Sequence, residues 1–288
     1  MNSHSLNKIL KQSISGSVKL ISYNPVGGGC INQCYRLQTT EGDYFIKSNL
    51  PGYVDMFKKE LRGLSALAAN CQLMIPRPIH TGEAEGASYL LLEYVASSGY
   101  SSDYWEALGT GLAAMHKVTA SDYGWHEDNY IGKLPQSNKL HSDWLEFFKS
   151  ERLQPQFNLA CSSGLIPKKA AGSLERLFGN LDNHLLRESP AFIHGDLWSG
   201  NIMSGLQGQP CLLDPAVYFG HREIELAFTT LFGGFNASFY QAYNQSFALT
   251  AGYKERFDIY NLYPLLVHLN LFGQGYLASI ESIADKYS

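Results

Sequence analysis

The sequence predicts an α+β fold in two lobes, a small sheet-containing lobe over residues 1–95 and a larger, mostly helical lobe over residues 96–288. Three observations predict it. A Gly-rich turn lies between two strand-like runs in the first 40 residues. The strongly apolar run Ser88-Tyr89-Leu90-Leu91-Leu92-Glu93-Tyr94-Val95 gives way to Ala96-Ser97-Ser98-Gly99, which reads as a linker. From Asp103 onward, apolar residues recur mainly at helical spacing.

Composition narrows the class. Hydrophobic residues make up 45% of the chain and charged residues 17%, enough apolar material for a substantial core. A net charge of -4 provides no basic field to hold nucleic acid. Residues 1–12 are polar and lack the apolar centre of a signal peptide. No stretch approaches the roughly 20 apolar residues of a membrane span, so no membrane association is expected. The five cysteines (30, 34, 71, 161 and 211) are odd in number, scattered and without a C-x-x-C pair. That argues against a disulfide framework or a zinc site and for the cytoplasm.

Taken in order, residues 1–20 read as a short amphipathic helix with Leu6, Ile9 and Leu10 on one side, ended by Ile14-Ser15-Gly16-Ser17. Gly27, Gly28, Gly29, Cys30, Ile31 and Asn32 then form the turn between strands. Glycines here let the backbone approach a nucleotide phosphate closely, or they make a plain hairpin. Asp43-Tyr44-Phe45-Ile46-Lys47 is a β-type run ending in a lysine. Lys47 is either a strand-borne phosphate ligand or an edge lysine in solvent. Phe57, Leu61, Leu64 and Ala68 mark a helix from Asp55 to Asn70, and Glu60 sits beside that stripe, as a partner for Lys47 or as a solvated acid. Glu93, Tyr94 and Val95 stand where a hinge would frame adenine. Asp103 and Glu106 suggest a capping box for a helix over 103–117, with His116 favourably placed for the helix dipole. Residues 128–132 read as a loop. Ser142 begins a helix ending before Pro155, and a further helix spans 167–187.

The chemistry-bearing stretch is Phe192-Ile193-His194-Gly195-Asp196-Leu197-Trp198-Ser199-Gly200-Asn201, followed by Leu212-Leu213-Asp214. An apolar run delivers a carboxylate into a Gly-containing loop, an amide follows five positions later, and a second acid ends the next apolar run. This spacing resembles the H-R-D-x-x-x-x-N loop and metal-binding Asp of kinases, with Gly195 replacing the arginine. Asp196 would orient and accept the proton of an attacking hydroxyl, and Asn201 and Asp214 would offer hard oxygens to Mg2+. Trp198 either walls the acceptor site by stacking on a sugar or closes the loop as a core residue.

The full motif is similar to the H-G-D-L-W-x-G-N signature of the fructosamine kinases, relatives of aminoglycoside phosphotransferases and choline kinases. The 27–32 turn, Tyr44-Phe45-Ile46-Lys47, Asp128-Asn129-Tyr130-Ile131-Gly132 and the run from Tyr218 to Phe235 agree in order, so the resemblance covers nearly the whole chain. Glu225 departs from it, standing where the family's helix has Asp. The resemblance implies a bacterial member of the family with a protein-kinase-like fold, and ATP- and Mg2+-dependent phosphorylation of the 3-hydroxyl of a ketosamine, small or protein-bound, for deglycation. It also tips Trp198 toward substrate contact. The rival readings are a kinase for another hydroxylated amine and a catalytically dead nucleotide-binding module. Cys30, at the turn, is either inert or a redox-sensitive thiol that would link two chains as a homodimer.

Overall fold

Strand alternation organises the N-terminal part of the computed structural model, which describes residues 1–27 and 32–288. Five antiparallel strands, β1 (Leu20–Pro25), β2 (Gln33–Thr39), β3 (Gly42–Asn49), β4 (Pro78–Ala84) and β5 (Ala87–Glu93), form one sheet in the order β1-β2-β3-β5-β4. Two helices cover its faces, α1 (Ser3–Ser13) and α2 (Val54–Asn70). Both are expected from their apolar stripes. Leu6, Ile9 and Leu10 of α1 pack on Leu37, Ile46, Tyr89 and Leu91, while Met56, Phe57 and Leu64 of α2 pack on Leu90 and Leu92. Because successive residues of a strand face opposite ways, Ile46 points toward α1 and Lys47 toward α2. The α1 helix begins at Asn2, whose side chain accepts from the Ser5 amide at 2.9 Å. It ends at Ser13 with Ile14 as its C-cap, where the run Ile14-Ser15-Gly16-Ser17 is expected to end it.

Past the linker the chain is mostly helical. In order come α3 (Tyr104–His116), a hairpin of β6 (Asn129–Ile131) and β7 (Leu134–Gln136), α4 (Trp144–Phe147), α5 (Gln154–Ser162) and α6 (Lys168–Gly179). Short strands β8 (Ala191–Ile193), β9 (Ile202–Ser204), β10 (Pro210–Leu212) and β11 (Tyr218–Gly220) then alternate with the loops that carry Asp196 and Asp214. Helices α7 (Arg222–Phe228), α8 (Ala237–Ser246), α9 (Tyr253–Phe272) and α10 (Leu277–Tyr287) complete the chain. Their apolar faces share one large core that includes Trp144, Phe192, Tyr218, Phe239, Tyr260 and Leu266.

Five local expectations are corrected. Asp103 precedes α3 but its side chain makes no cap hydrogen bond. The loop expected at 128–132 carries strand β6, paired with β7 in register Asn129 to Gln136. Asp143, not Ser142, caps α4 by accepting from the amides of Leu145 and Glu146. That helix does not stop before Pro155: a π-helical turn over Phe148–Leu153 leads into α5, where Pro155 sits in the first turn and its missing N–H costs nothing. Residues 167–187 are helical only to Gly179, apart from a short 3-10 turn over Leu181–Asn183.

Candidate active site

The loop after β8 is built around Gly195. Its φ is +82°, and a Cβ there would lie 2.1 Å from the Ala216 carbonyl oxygen, so only glycine fits. The backbone is pinned from several directions. The amides of His194 and Gly195 donate to the two carboxylate oxygens of Glu225, at 3.1 and 2.7 Å. The Ala216 amide donates to the His194 carbonyl at 2.9 Å. The His194 ring accepts from the Asp196 amide through Nδ1 (3.2 Å), which assigns the proton to Nε2 for donation to the Leu213 carbonyl (2.8 Å). Burial lowers the His194 pKa, in keeping with this neutral tautomer.

Asp196, Asn201 and Asp214 meet as the spacing predicts. The Asn201 Nδ2 donates to the Asp196 carbonyl (2.8 Å) and to its Oδ2 (2.9 Å), which leaves the amide oxygen Oδ1 of Asn201 for another partner. Burial pushes the Asp196 carboxyl well above the usual carboxylate range, against the pull of the Asn201 hydrogen bond. The Leu213 amide donates to the Asn201 carbonyl at 2.9 Å, and Asp214 follows with φ +53°, unusual for a non-glycine residue.

Lys47, only 4% exposed, reaches Asp214 from β3. Its Nζ donates to Glu60 Oε1 at 2.6 Å and to Asp214 Oδ1. Burial alone would lower the Lys47 pKa, yet Asp214 and Glu60 outweigh it and keep the ammonium charged. The solvated alternatives for Lys47 and Glu60 are thereby removed. Asp214 remains half exposed, with 49% of its side chain in solvent. Together with Asn201 Oδ1 it offers an all-oxygen donor pair. That pair suits Mg2+, which is usually held by one or two protein oxygens plus phosphates and water. No group of three His, Cys, Asp or Glu side chains that would cage a metal alone exists among the described residues.

The expected nucleotide-facing residues are only partly described. Gly28, Gly29, Cys30 and Ile31 lie outside the described residues. Gly27 is exposed, and Asn32 accepts from Asn49 Nδ2 at 2.8 Å, tying the exit of the turn to β3. Glu93 ends β5, with Arg77 3.5 Å from its carboxylate. The Tyr94 amide already donates to the Asp43 carbonyl at 3.3 Å, and Val95 is buried.

Below Asp196 lies a mainly apolar cavity lined by Ile131, Tyr218, Phe228, Tyr263, Val267 and His268. Trp198 is half-buried. Its ring packs edge-on against Phe232 (5.7 Å between centroids), and Phe232 packs on His268 (4.6 Å). Trp198 thus joins the aromatic cluster beside the cavity without lining it.

Sequence reasoning missed how the loop is held. His116 stands in the last turn of α3, as expected, but its partners lie on distant elements. It is buried, with Nε2 2.8 Å from Glu225 and Nδ1 2.8 Å from the Tyr243 hydroxyl. Burial would raise the Glu225 carboxyl, but hydrogen bonds from His116 and the Gly195 amide hold it below the usual range. The available signal was Glu225 itself, an acid among the apolar residues of α7. The cavity residues of α9 were hidden because that helix is apolar nearly all round.

The comparisons fit this geometry. The fructosamine kinase family model matches residues 2–288. A probable ketoamine kinase of Synechocystis is 41% identical over 281 residues, covering 96% of this chain and 94% of the relative. The chloroplastic protein-ribulosamine 3-kinase of Arabidopsis thaliana is 38% identical over 94% of this chain and 84% of its own. A crystal structure from Haemophilus somnus, designated a candidate fructosamine-3-kinase, superposes with a TM-score of 0.89 at 26% identity, covering 99% and 97% of the two chains. An aminoglycoside phosphotransferase complexed with AMP-PNP and hygromycin B shares the fold alone, with a TM-score of 0.64 and 15% identity over 98% and 97%. The architecture is therefore the kinase-like one, with a sheet-based N-terminal lobe and a helical C-terminal lobe. On a family match over nearly its whole length and relatives at 38–41% identity, this chain belongs to the fructosamine kinases, enzymes that transfer phosphate to a hydroxyl group.

Proposed function

We propose that the chain is an ATP- and Mg2+-dependent ketosamine 3-kinase acting on fructosamine- or ribulosamine-type adducts. The observation that carries the reading is the convergence of Lys47, Glu60, Asp196, Asn201 and Asp214 from distant parts of the chain. A dead nucleotide-binding module would have no need for this complete set. In this reading residues 1–95 and 96–288 are the two lobes, and ATP lies between them. Lys47, held by Glu60, binds the α- and β-phosphates under the 27–32 turn, including Gly27, Gly28, Gly29, Cys30, Ile31 and Asn32. The segment Glu93, Tyr94 and Val95 frames adenine.

Asp214 and the Asn201 amide oxygen would hold Mg2+, which neutralises charge developing on the phosphates. Asp196 orients the 3-hydroxyl toward the γ-phosphorus and takes its proton as the new O–P bond forms and ADP leaves. A carboxyl whose proton affinity is raised by burial suits late acceptance of that proton. Trp198 and Phe232 offer an aromatic edge near Asp196 on which the sugar's carbon skeleton would pack, while the mainly apolar cavity below Asp196, about 20 Å³, has room for little more than one water.

Phosphate transfer from ATP to ribulosamine, erythrulosamine and fructosamine, compared with an aminoglycoside and choline, tests the substrate class. Transfer to the last two alone would reject it and keep the fold. The cytoplasm is the proposed location: no described helix is long and apolar enough to cross a membrane, and the described cysteines are all free thiols. Redox control through a Cys30-linked homodimer belongs to the same reading. Peroxide sensitivity that survives Cys30→Ser would end it.

A further inference from the structure

The α2 helix carries Asp55, Lys59 and Arg62 at spacings of four and three, a stripe that shares one helical face. All three meet the segment containing the β6–β7 hairpin. Lys59 Nζ and Arg62 Nη1 lie 2.7 and 2.5 Å from a single oxygen, Glu127 Oε2, and the Tyr130 hydroxyl donates to Asp55 at 3.0 Å. The Glu127 side chain is 14% exposed. Burial would raise its carboxyl, and the two cations hold it below the usual range.

The hairpin's other side is bonded to the chain just after Asp214. Asn129 Nδ2 donates to the Val217 carbonyl at 3.0 Å, and Gln136 Nε2 to the Ala216 carbonyl at 3.3 Å. Ala216 in turn holds His194. Gly63, one residue past Arg62, packs so closely on Pro215 that an added Cβ would lie 3.2 Å from its Cγ. The hairpin therefore spans from the helix that bears Glu60 to the segment that bears Asp214.

We propose that Glu127 is a positioning residue for the nucleotide. Through Lys59 and Arg62 it sets the rotation of α2, and so keeps Glu60 on Lys47 and Lys47 in register with Asp214. The inference rests on the reading that Lys47 holds the α- and β-phosphates. In protein kinases the placement of the equivalent helix is controlled by a phosphorylated loop. Here an encoded carboxylate facing two cations takes that place, so the setting is permanent.

The test compares wild type with E127Q, E127D, the double variant K59M/R62M and K47M. The readouts are affinity for a non-hydrolysable ATP analogue with Mg2+, ATP KM, ketosamine KM, kcat and Tm. E127Q and K59M/R62M are each expected to raise the analogue Kd and ATP KM about tenfold, the size of effect seen for coupling without ligand contact. Ketosamine KM and Tm should stay close to wild type, and E127D should recover most of the loss. Unchanged nucleotide affinity in E127Q and in K59M/R62M overturns the proposal. So does a fall in Tm with both KM values rising together, which marks a merely structural role. Should E127Q fail to fold, the double variant reads the same bridge from its more exposed side. K47M separates the two levels. If it binds the analogue as tightly as wild type, the phosphate reading fails and the strut with it. If it binds weakly while the Glu127 bridge variants bind normally, only the strut fails.

Discussion

Asp196 and Asp214 are both carboxylates of one site, yet their surroundings differ. Asp196 is bonded to the Asn201 amide and sits over the apolar cavity. Asp214 faces Lys47 and remains half in solvent. Asp196→Asn is expected to lower kcat at least about 100-fold, the usual worth of a positioned base, while nucleotide affinity measured by calorimetry stays near wild type. Near-normal turnover would remove Asp196 from its role. Asp214→Ala is expected to abolish the Mg2+-dependent part of nucleotide affinity, and an unchanged titration with and without chelator would count against it. These residues were legible because the spacing that makes the loop is local. Glu225 and His116 were not: their contact spans 109 positions, and the His116–Tyr243 contact spans 127. No window of sequence contains that relay. It exists only once α3, α7 and α8 have packed.

At the scale of elements, the pairing of α3 with α8 depends on Gly109. A Cβ at that position would lie 2.3 Å from the Phe239 carbonyl oxygen, a backbone atom that cannot rotate aside. Gly109→Ala must push the helices apart, at a cost of about 1–3 kcal/mol, the usual range for overpacking. A lower urea midpoint would show it. Since α3 carries His116 and α8 carries Tyr243, kcat should fall as well. An unchanged midpoint would mean that the two helices separate freely. Long elements such as α2 were legible from their apolar stripe, and β5 from its apolar run. The hairpin of β6 and β7 was not, because three-residue strands carry no periodicity. Pro155 misled for a physical reason: a proline that ends one helix is equally suited to the first turn of the next, and the π turn joins them without a break.

Over the whole molecule, acid should act through buried imidazoles. His221 is fully buried between Trp144 and Tyr260, its Nδ1 accepting from the Glu223 amide. Its Nε2 has no hydrogen-bond partner among the described residues, and Glu188 lies 4.0 Å away. Burial brings its pKa down to about 4, with Glu188 opposing and Arg222, Arg256 and His116 adding to the fall. An unfolded histidine titrates near 6.5. Between about pH 6.5 and 4 the unfolded chain binds a proton that the folded chain refuses, so stability falls with pH across that window by about 3 kcal/mol from this site. His221→Asn keeps a cap acceptor and removes the titration. Its urea midpoint should change less between pH 7 and pH 5 than that of wild type, and equal slopes would exclude His221 as the cause.

Gly195 has a consequence for what this chain can become. The loop position that holds an arginine in phosphorylation-controlled kinases is here pressed against the Ala216 carbonyl in a left-handed backbone. No single codon change can restore a phosphate-reading side chain, because every side chain shares the Cβ that does not fit. Regaining that form of control would require the β8 loop and the segment after Asp214 to separate first, and the intermediate would have lost its catalytic geometry. Once such a loop has closed on glycine, the route back is barred by sterics rather than by selection, and control of activity has to arise elsewhere on the protein.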